Sequence, residues 1–73
     1  MHTSMGLATK IGASIRRLRV ARDLTQEELS DQVGIHYTFL GHIERGNKLP
    51  SLPTLKRIAS ALGATLSRIL KDA

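Results

Sequence analysis

Two histidines, a tyrosine and a threonine lie within seven residues of one another near the middle of the chain. These side chains could bind a metal, transfer protons or hydrogen-bond to a polar ligand, and they are His36, Tyr37, Thr38 and His42. His36 and His42 are about 120° apart on a helix, whereas helical metal ligands are usually spaced four positions apart. Glu27 and Asp31 do have that spacing, but nothing around them indicates the cleft that general acid–base catalysis needs. We therefore expect no metal, no cofactor and no catalytic residue.

The charge balance of the chain indicates a polyanionic partner. Eleven Lys and Arg against six Asp and Glu give a formal net charge of +5, with a pI near 10.5. Such a balance suits nucleic acid or an anionic membrane, although a basic solvated surface would have it too. The arginines of residues 1–22 lie at scattered helical angles with no Trp or Phe beside them, which argues against a membrane surface.

Length and composition restrict the class of protein further. The 73 residues suffice for one small domain, in which a drug-sized pocket would hollow out most of the core. The absence of cysteine excludes disulfides and cysteine-ligated zinc. The apolar runs are far too short to span a bilayer, and the first residues do not resemble a signal peptide. We expect a cytoplasmic protein that is not an enzyme, with a flexible N-terminus at residues 1–6 and one domain at residues 7–73.

Five short helices are predicted to position the chemistry-bearing residues, so the expected fold class is all-α. Apolar residues recur at helical spacing in five segments, and no segment alternates with the period of a strand. The first helix is predicted at about residues 7–22 and the third at about residues 36–45. Thr25 and Glu28 form a capping box that begins the second helix, and Gly34 ends it in a left-handed turn.

The stretch TQEELSDQVGIHYTFLGHIERG, residues 25–46, indicates two helices joined by a glycine turn and packed at a steep angle. The outer face of the second helix is then free, and it carries small or hydrogen-bonding residues with no acid among them: His36, Tyr37, Thr38, Gly41 and His42. A helix fits the major groove of B-DNA, which is about 12 Å wide. An acid-free polar face on a basic chain is what proximity to phosphates requires.

This stretch resembles the helix-turn-helix of the Cro/CI-type (XRE) family of bacterial and phage DNA-binding regulators. The matching positions are Gln26, Leu29, Ser30, Val33, Gly34, Ile35, Leu40, Ile43 and the run Glu44-Arg45-Gly46. The resemblance covers about residues 10–71 and implies a lambda-repressor-like domain with a central helix-turn-helix. The phrase GIHYTFLGHIERG is most similar to controller proteins of restriction–modification systems. Two residues depart from the family pattern. Asp23 lies where Gly or Asn usually ends the first helix, and His36 lies where Ser or Thr often caps the third.

The resemblance also implies roles for individual residues. Base edges would be contacted by Tyr37, Thr38 and His42, with His36 at the border. Phosphates would be contacted by Gln26, Asn47 and Lys48, with Arg16, Arg17 and Arg45 as further candidates. The alternatives are that Tyr37 packs on the core edge, that the histidines are merely exposed and that the arginines form a solvated face. Glu44 at a helix C-terminus needs a nearby cation, and the family pairs it with the position of Arg19 in a structural salt bridge.

The last two predicted helices raise the question of a second subunit. Ser51 or Thr54 can cap the fourth helix, and the fifth carries three large apolar residues that a small core cannot all bury: Leu66, Ile69 and Leu70. We expect them to form a homodimer interface. The resemblance then implies a transcriptional regulator, associated with the nucleoid, that binds a palindromic site on double-stranded DNA without a small-molecule ligand. The alternative is an antitoxin-like or adaptor module, which would be indicated by an apolar or acidic third-helix face.

Overall fold

The computed structural model describes residues 6–71, which form five helices and no strand. In chain order these are α1 (Leu7–Ala21), α2 (Gln26–Val33), α3 (Tyr37–Glu44), α4 (Leu52–Ala61) and α5 (Leu66–Lys71). The predicted all-α class and the predicted five helices are confirmed. Apart from Gly6, which precedes α1, the segment expected to be a flexible N-terminus lies outside the described residues. No helix in the described range is both long and apolar enough to cross a membrane.

The core forms where one apolar stripe from each helix meets the others. On α1 the stripe consists of Ile11, Ile15 and Leu18, which are buried because spacings of four and three residues place them on one side of the helix. The remaining core members are Leu29, Val33, Leu40, Ile43, Leu55, Ile58, Ala59, Leu62 and Ile69. α1 packs on α3 and α5, and α2 packs on α3 and α4. Both α1 and α2 therefore support α3.

Gly12 allows α1 to approach the end of α3 closely. A Cβ atom at Gly12 would overlap the carbonyl oxygen of Ile43 and would lie 2.9 Å from that of Glu44. The chain after α3 is equally close to α1, because a Cβ atom at Gly46 would lie 2.6 Å from the Oγ1 atom of Thr9. Backbone contact with α1 therefore fixes the C-terminal end of α3.

Local signals in the sequence set the ends of α2 and α4. The capping box is confirmed, since Thr25 Oγ1 accepts from the Glu28 amide at 3.0 Å and Glu28 Oε1 accepts from the Thr25 amide at 2.8 Å. Gly34 ends α2 in the predicted left-handed conformation, with φ of +84°. Ser51 rather than Thr54 caps α4, because its Oγ atom accepts from the Thr54 amide at 3.3 Å. These turns set the direction in which α3 leaves α2.

The three apolar residues predicted to form a dimer interface on α5 differ in burial. The prediction is wrong for Ile69, which is 0% exposed and completes the domain's own core. Leu66 packs partly buried against that core, and Leu70 is 40% exposed. Of the three, only Leu70 offers substantial apolar surface to a second molecule.

Candidate nucleic-acid interface

The outer side of α3 presents a polar surface to solvent. His36 and Thr38 are exposed, Tyr37 is 47% exposed and His42 is half-buried. Leu40 and Ile43 lie on the opposite side of the same helix and are buried in the core with residues of α1 and α2. The arrangement agrees with the helical spacing of these residues and places all four predicted base-contacting residues at the surface or its edge.

His36 caps the N-terminus of α3 with its imidazole ring. The Nδ1 atom of His36 accepts a hydrogen bond from the backbone amide of Thr38 at 3.1 Å. The ring also stacks on Tyr37, with centroids 4.7 Å apart and an interplanar angle of 25°. A histidine thus satisfies one of the orphan amide donors of the first turn, a role that Ser, Thr, Asp or Asn usually performs.

Gly41 lies beneath the guanidinium group of Arg45. A Cβ atom at Gly41 would lie 3.1 Å from Arg45 Nη1 and 3.6 Å from Gln26 Oε1. The prediction that Gly41 belongs to the free face is therefore wrong, because the residue is buried. Tyr37, Gly41 and Arg45 follow one another at four-residue spacing, and a long side chain at the last position extends back along its helix. Gly41 provides the space in which the Arg45 guanidinium lies.

Glu44 joins α1, α2 and α3 in one hydrogen-bonded network. Arg19 donates to its carboxylate through Nε at 2.7 Å and through Nη2 at 3.0 Å, and Gln26 Nε2 donates at 3.0 Å. The side chains of Arg19 and Glu44 are 11% and 1% exposed, so the ion pair expected from the sequence is formed and is buried. Arg19 also donates to the Leu24 carbonyl oxygen at 2.7 Å. No buried side-chain polar atom among the described residues lacks a partner.

The residues predicted to contact phosphates occupy two parts of the structure. Asn47 and Lys48 are exposed directly after α3, where the Asn47 amide donates to the His42 carbonyl oxygen at 2.9 Å. Arg16 and Arg17 are exposed on α1, and Arg17 Nη2 donates to Ser14 Oγ at 3.0 Å. Gln26 and Arg45 lie together against α3 beside Gly41. Gln26, Arg45, Asn47 and Lys48 therefore accompany α3, while Arg16 and Arg17 belong to a different element.

A shallow cleft of about 440 Å³ adjoins the start of α3. Its lining consists of polar and charged residues from three elements, namely Arg19, Thr25, Gln26, Glu27 and Tyr37. Glu27 lies in the first turn of α2, where the positive end of the helix dipole favours its negative charge. Within residues 6–71 no cluster of His and acidic residues could hold a metal ion. The cleft extends the polar surface of α3 onto the first turn of α2.

Comparison with known families identifies this arrangement. A helix-turn-helix family model (HTH_3) matches residues 15–69, a range that contains the whole of α2, α3 and α4. This chain belongs to the helix-turn-helix family of DNA-binding transcriptional regulators. The family resemblance inferred from Gln26 to Gly46 is thus confirmed. The relatives of this chain that carry functional names are repressors, control proteins and gene regulators rather than enzymes.

Curated relatives include phage and restriction–modification proteins. The chain is 38% identical over 62 residues to the immunity repressor protein of Bacillus phage phi105, covering 85% of this chain and 43% of the repressor. It is 34% identical over 64 residues to control protein C.MunI of a Mycoplasma species, covering 86% of each chain. This helix-turn-helix chain thus spans less than half the length of the phage repressor and most of the length of the control protein.

Solved structures have the same fold. The clp gene regulator ClgR of Corynebacterium glutamicum superposes with a TM-score of 0.93 at 28% identity, covering 96% of this chain and 74% of that one. The restriction–modification controller protein C.AhdI of Aeromonas hydrophila superposes with a TM-score of 0.83 at 32% identity, covering 85% of this chain and 94% of that one. The five-helix architecture is therefore that of known helix-turn-helix regulators.

Two features of the interface were not anticipated from the sequence. One is the placement of Arg45 over Gly41, which the four-residue spacing of a glycine and an arginine could have indicated. The other is the hydrogen bond from Gln26 to Glu44, which joins residues 18 positions apart and left no local signal. Together they show that the side chains of Gln26 and Arg45 lie beside Gly41 on α3 and that Gln26 is held there by Glu44.

Proposed function

We propose that this chain is a sequence-specific regulator of transcription that binds double-stranded DNA as a homodimer on a palindromic operator, in the nucleoid of the cytoplasm. In this proposal α3 enters the major groove of each half-site. Tyr37, Thr38 and His42 contact base edges, and His36 contacts the DNA at the border of the recognised bases. Gln26, Asn47, Lys48, Arg16, Arg17 and Arg45 contact phosphates.

The observation that carries the proposal is the electrostatic character of the exposed side of α3. The one acidic residue of the helix, Glu44, has a buried side chain paired with Arg19, so it adds no exposed negative charge. Basic or amide side chains stand beside the helix at Arg45, Asn47 and Lys48. A polar helix of this kind can approach the phosphates of a groove without repulsion, and its hydrogen-bonding groups can reach base edges.

Direct selection tests sequence recognition. Random duplex DNA would be incubated with the purified chain, the bound fraction amplified, and the enriched sequence footprinted. We expect an inverted repeat whose half-sites are centred about 34 Å apart, because two identical helices must enter successive major grooves on one side of the duplex. Enrichment of no sequence would contradict the proposal. Capture of a specific protein in its place would favour the adaptor alternative.

The homodimer is supported by the apolar surface that the core leaves uncovered. Leu70, near the end of α5, is 40% exposed. Leu49 in the α3–α4 connection is 54% exposed, and Leu52 at the start of α4 is 59% exposed. We propose that a second copy of the chain covers Leu70, with Leu66 at the edge of the contact. Two half-sites bound together also give far more affinity than one site alone.

Analytical ultracentrifugation of two matched variants tests the interface. Leu70→Asp is expected to shift the chain from dimer to monomer, because a carboxylate would be buried without a partner. Leu52→Asp is the control, since it places the same charge on an exposed leucine at the first position of α4. A Leu70→Asp variant that remains dimeric would refute this placement, and loss of the dimer in Leu52→Asp alone would move the interface to the start of α4.

A further inference from the structure

His36 combines two roles that usually need two side chains. Its Nδ1 atom accepts the Thr38 amide at 3.1 Å, so the lone pair of that nitrogen is occupied. A neutral imidazole carries one proton, and a nitrogen that accepts a hydrogen bond cannot hold it. The proton of neutral His36 is therefore on Nε2, on the far side of the ring from Nδ1.

The position of the ring makes that proton available to a ligand. His36 is exposed, and its stack on Tyr37 at 4.7 Å restrains the ring plane. The hydroxyl oxygen of a Ser or Thr cap would accept the helix amide, and the short side chain would have no second polar group to present to a ligand. The imidazole instead spans the first turn of α3, with the cap at one nitrogen and a donor at the other.

We infer that the cap fixes His36 in the Nε2–H tautomer, so that it contacts DNA as a hydrogen-bond donor and determines specificity at the border of each half-site. The inference rests on the proposed function. A fixed donor selects an acceptor, which on the base edges of the major groove is guanine O6 or N7, adenine N7 or thymine O4, and it disfavours the amino groups of adenine and cytosine. The preference is a consequence of the fold, because the α3 amide determines which nitrogen carries the proton.

The tautomer can be measured without DNA. Long-range ¹H–¹⁵N NMR spectra of the whole chain distinguish a protonated Nε2 from a protonated Nδ1. We expect the His36 spectrum to show Nε2–H at a pH where the ring is neutral. An Nδ1–H tautomer, or a mixture of equal parts, would overturn the inference.

Two substitutions separate the cap from the donor. Serine accepts the helix amide as well as or better than histidine but has no group to replace Nε2–H, whereas alanine replaces neither. We expect His36→Ser to retain the wild-type protection of the Thr38 amide from hydrogen exchange and to bind the selected operator about five- to tenfold more weakly, the value of one hydrogen bond. His36→Ala should lose both the protection of the Thr38 amide and the affinity contributed by the Nε2–H donor. Thermal unfolding followed by circular dichroism verifies that each variant is folded.

Modified operators identify the acceptor. Replacing a purine near the half-site border by its 7-deaza analogue removes N7, 6-thioguanine or 4-thiothymine weakens the O6 or O4 acceptor, and a methylphosphonate removes a charged phosphate oxygen. We expect one of the base modifications to weaken the wild-type chain by about the same factor as His36→Ser and to have no further effect on that variant. The inference would be overturned if every modification affected wild type and variant equally, or if only the methylphosphonate distinguished them, because a phosphate contact carries no sequence information. Equal affinity of wild type and His36→Ser would overturn it as well. A wild-type chain that selects no sequence would overturn the proposed function itself, whatever the NMR tautomer.

Discussion

Replacing Arg19 by methionine should destabilise the domain severely, because it leaves the carboxylate of Glu44 buried without its cation. The side chain of Glu44 is 1% exposed and accepts two of its three hydrogen bonds from Arg19, at 2.7 and 3.0 Å. The remaining donor, Gln26 Nε2 at 3.0 Å, carries no charge. Methionine also cannot replace the bond that Arg19 donates to the Leu24 carbonyl oxygen.

The magnitude follows from the burial of the pair. Removing one partner of a buried ion pair costs about 3–5 kcal/mol. A chain of 73 residues has a free energy of unfolding of roughly 4–11 kcal/mol in total. The Arg19→Met variant should therefore lose about half of its stability, and its midpoint of thermal unfolding should fall by at least about 12 °C. Arg16→Met, an exposed substitution on the same helix, should change the free energy by less than about 0.5 kcal/mol.

Urea unfolding followed by circular dichroism at 222 nm measures these changes. The double variant Arg19→Met with Glu44→Met tests the cause, because it replaces the whole pair by apolar side chains and leaves no buried charge. We expect it to be more stable than Arg19→Met alone. If the effects of the two single substitutions simply add, or if Arg19→Met costs under about 1 kcal/mol, the buried carboxylate is not the source of the instability and the reasoning is refuted.

Three further substitutions test the packing of α3 and its use. Gly12→Ala should destabilise the domain by about 1–3 kcal/mol in the same urea assay, because the new methyl group meets the backbone of Ile43. Gly6→Ala, at the N-cap of α1 with no atom within 4 Å, should cost under about 1 kcal/mol, and equal effects would contradict the close approach. Lys48→Ala should reduce the slope of log K against log salt by about one, and an unchanged slope would remove Lys48 from the phosphate contacts. Thr38→Ala should weaken binding to the selected operator by about 1–3 kcal/mol and leave binding to random DNA nearly unchanged; equal losses on both would exclude base recognition.

Helix ends were predictable from the sequence because their causes are local. The Thr25–Glu28 capping box and the left-handed turn at Gly34 each depend on residues within four positions of one another. Asp23 follows the same rule, since its φ of +55° is a conformation that Asp tolerates after a helix. The family pattern added one long-range element, the pairing of Arg19 with Glu44.

The errors concern choices that local spacing cannot decide. α5 has only six residues, so periodicity does not distinguish which of Ile69 and Leu70 faces the core. Gly41 was expected on the open face because its angle on α3 is correct, but a side chain from the next turn covers it. In both cases burial depends on what packs against the position, and the sequence of one helix does not contain that information.

The way α3 is held has a consequence for how such a protein could acquire a new target. The support of α3 comes from its inward-facing residues and from the close backbone approach of α1 at Gly12. Thr38 is exposed and His42 is half-buried, and neither belongs to the hydrophobic core. Mutations at these two positions should therefore cost little in folding. Under the proposed function, duplicated copies of such a gene could then diverge in the DNA sites they recognise while the scaffold stays the same.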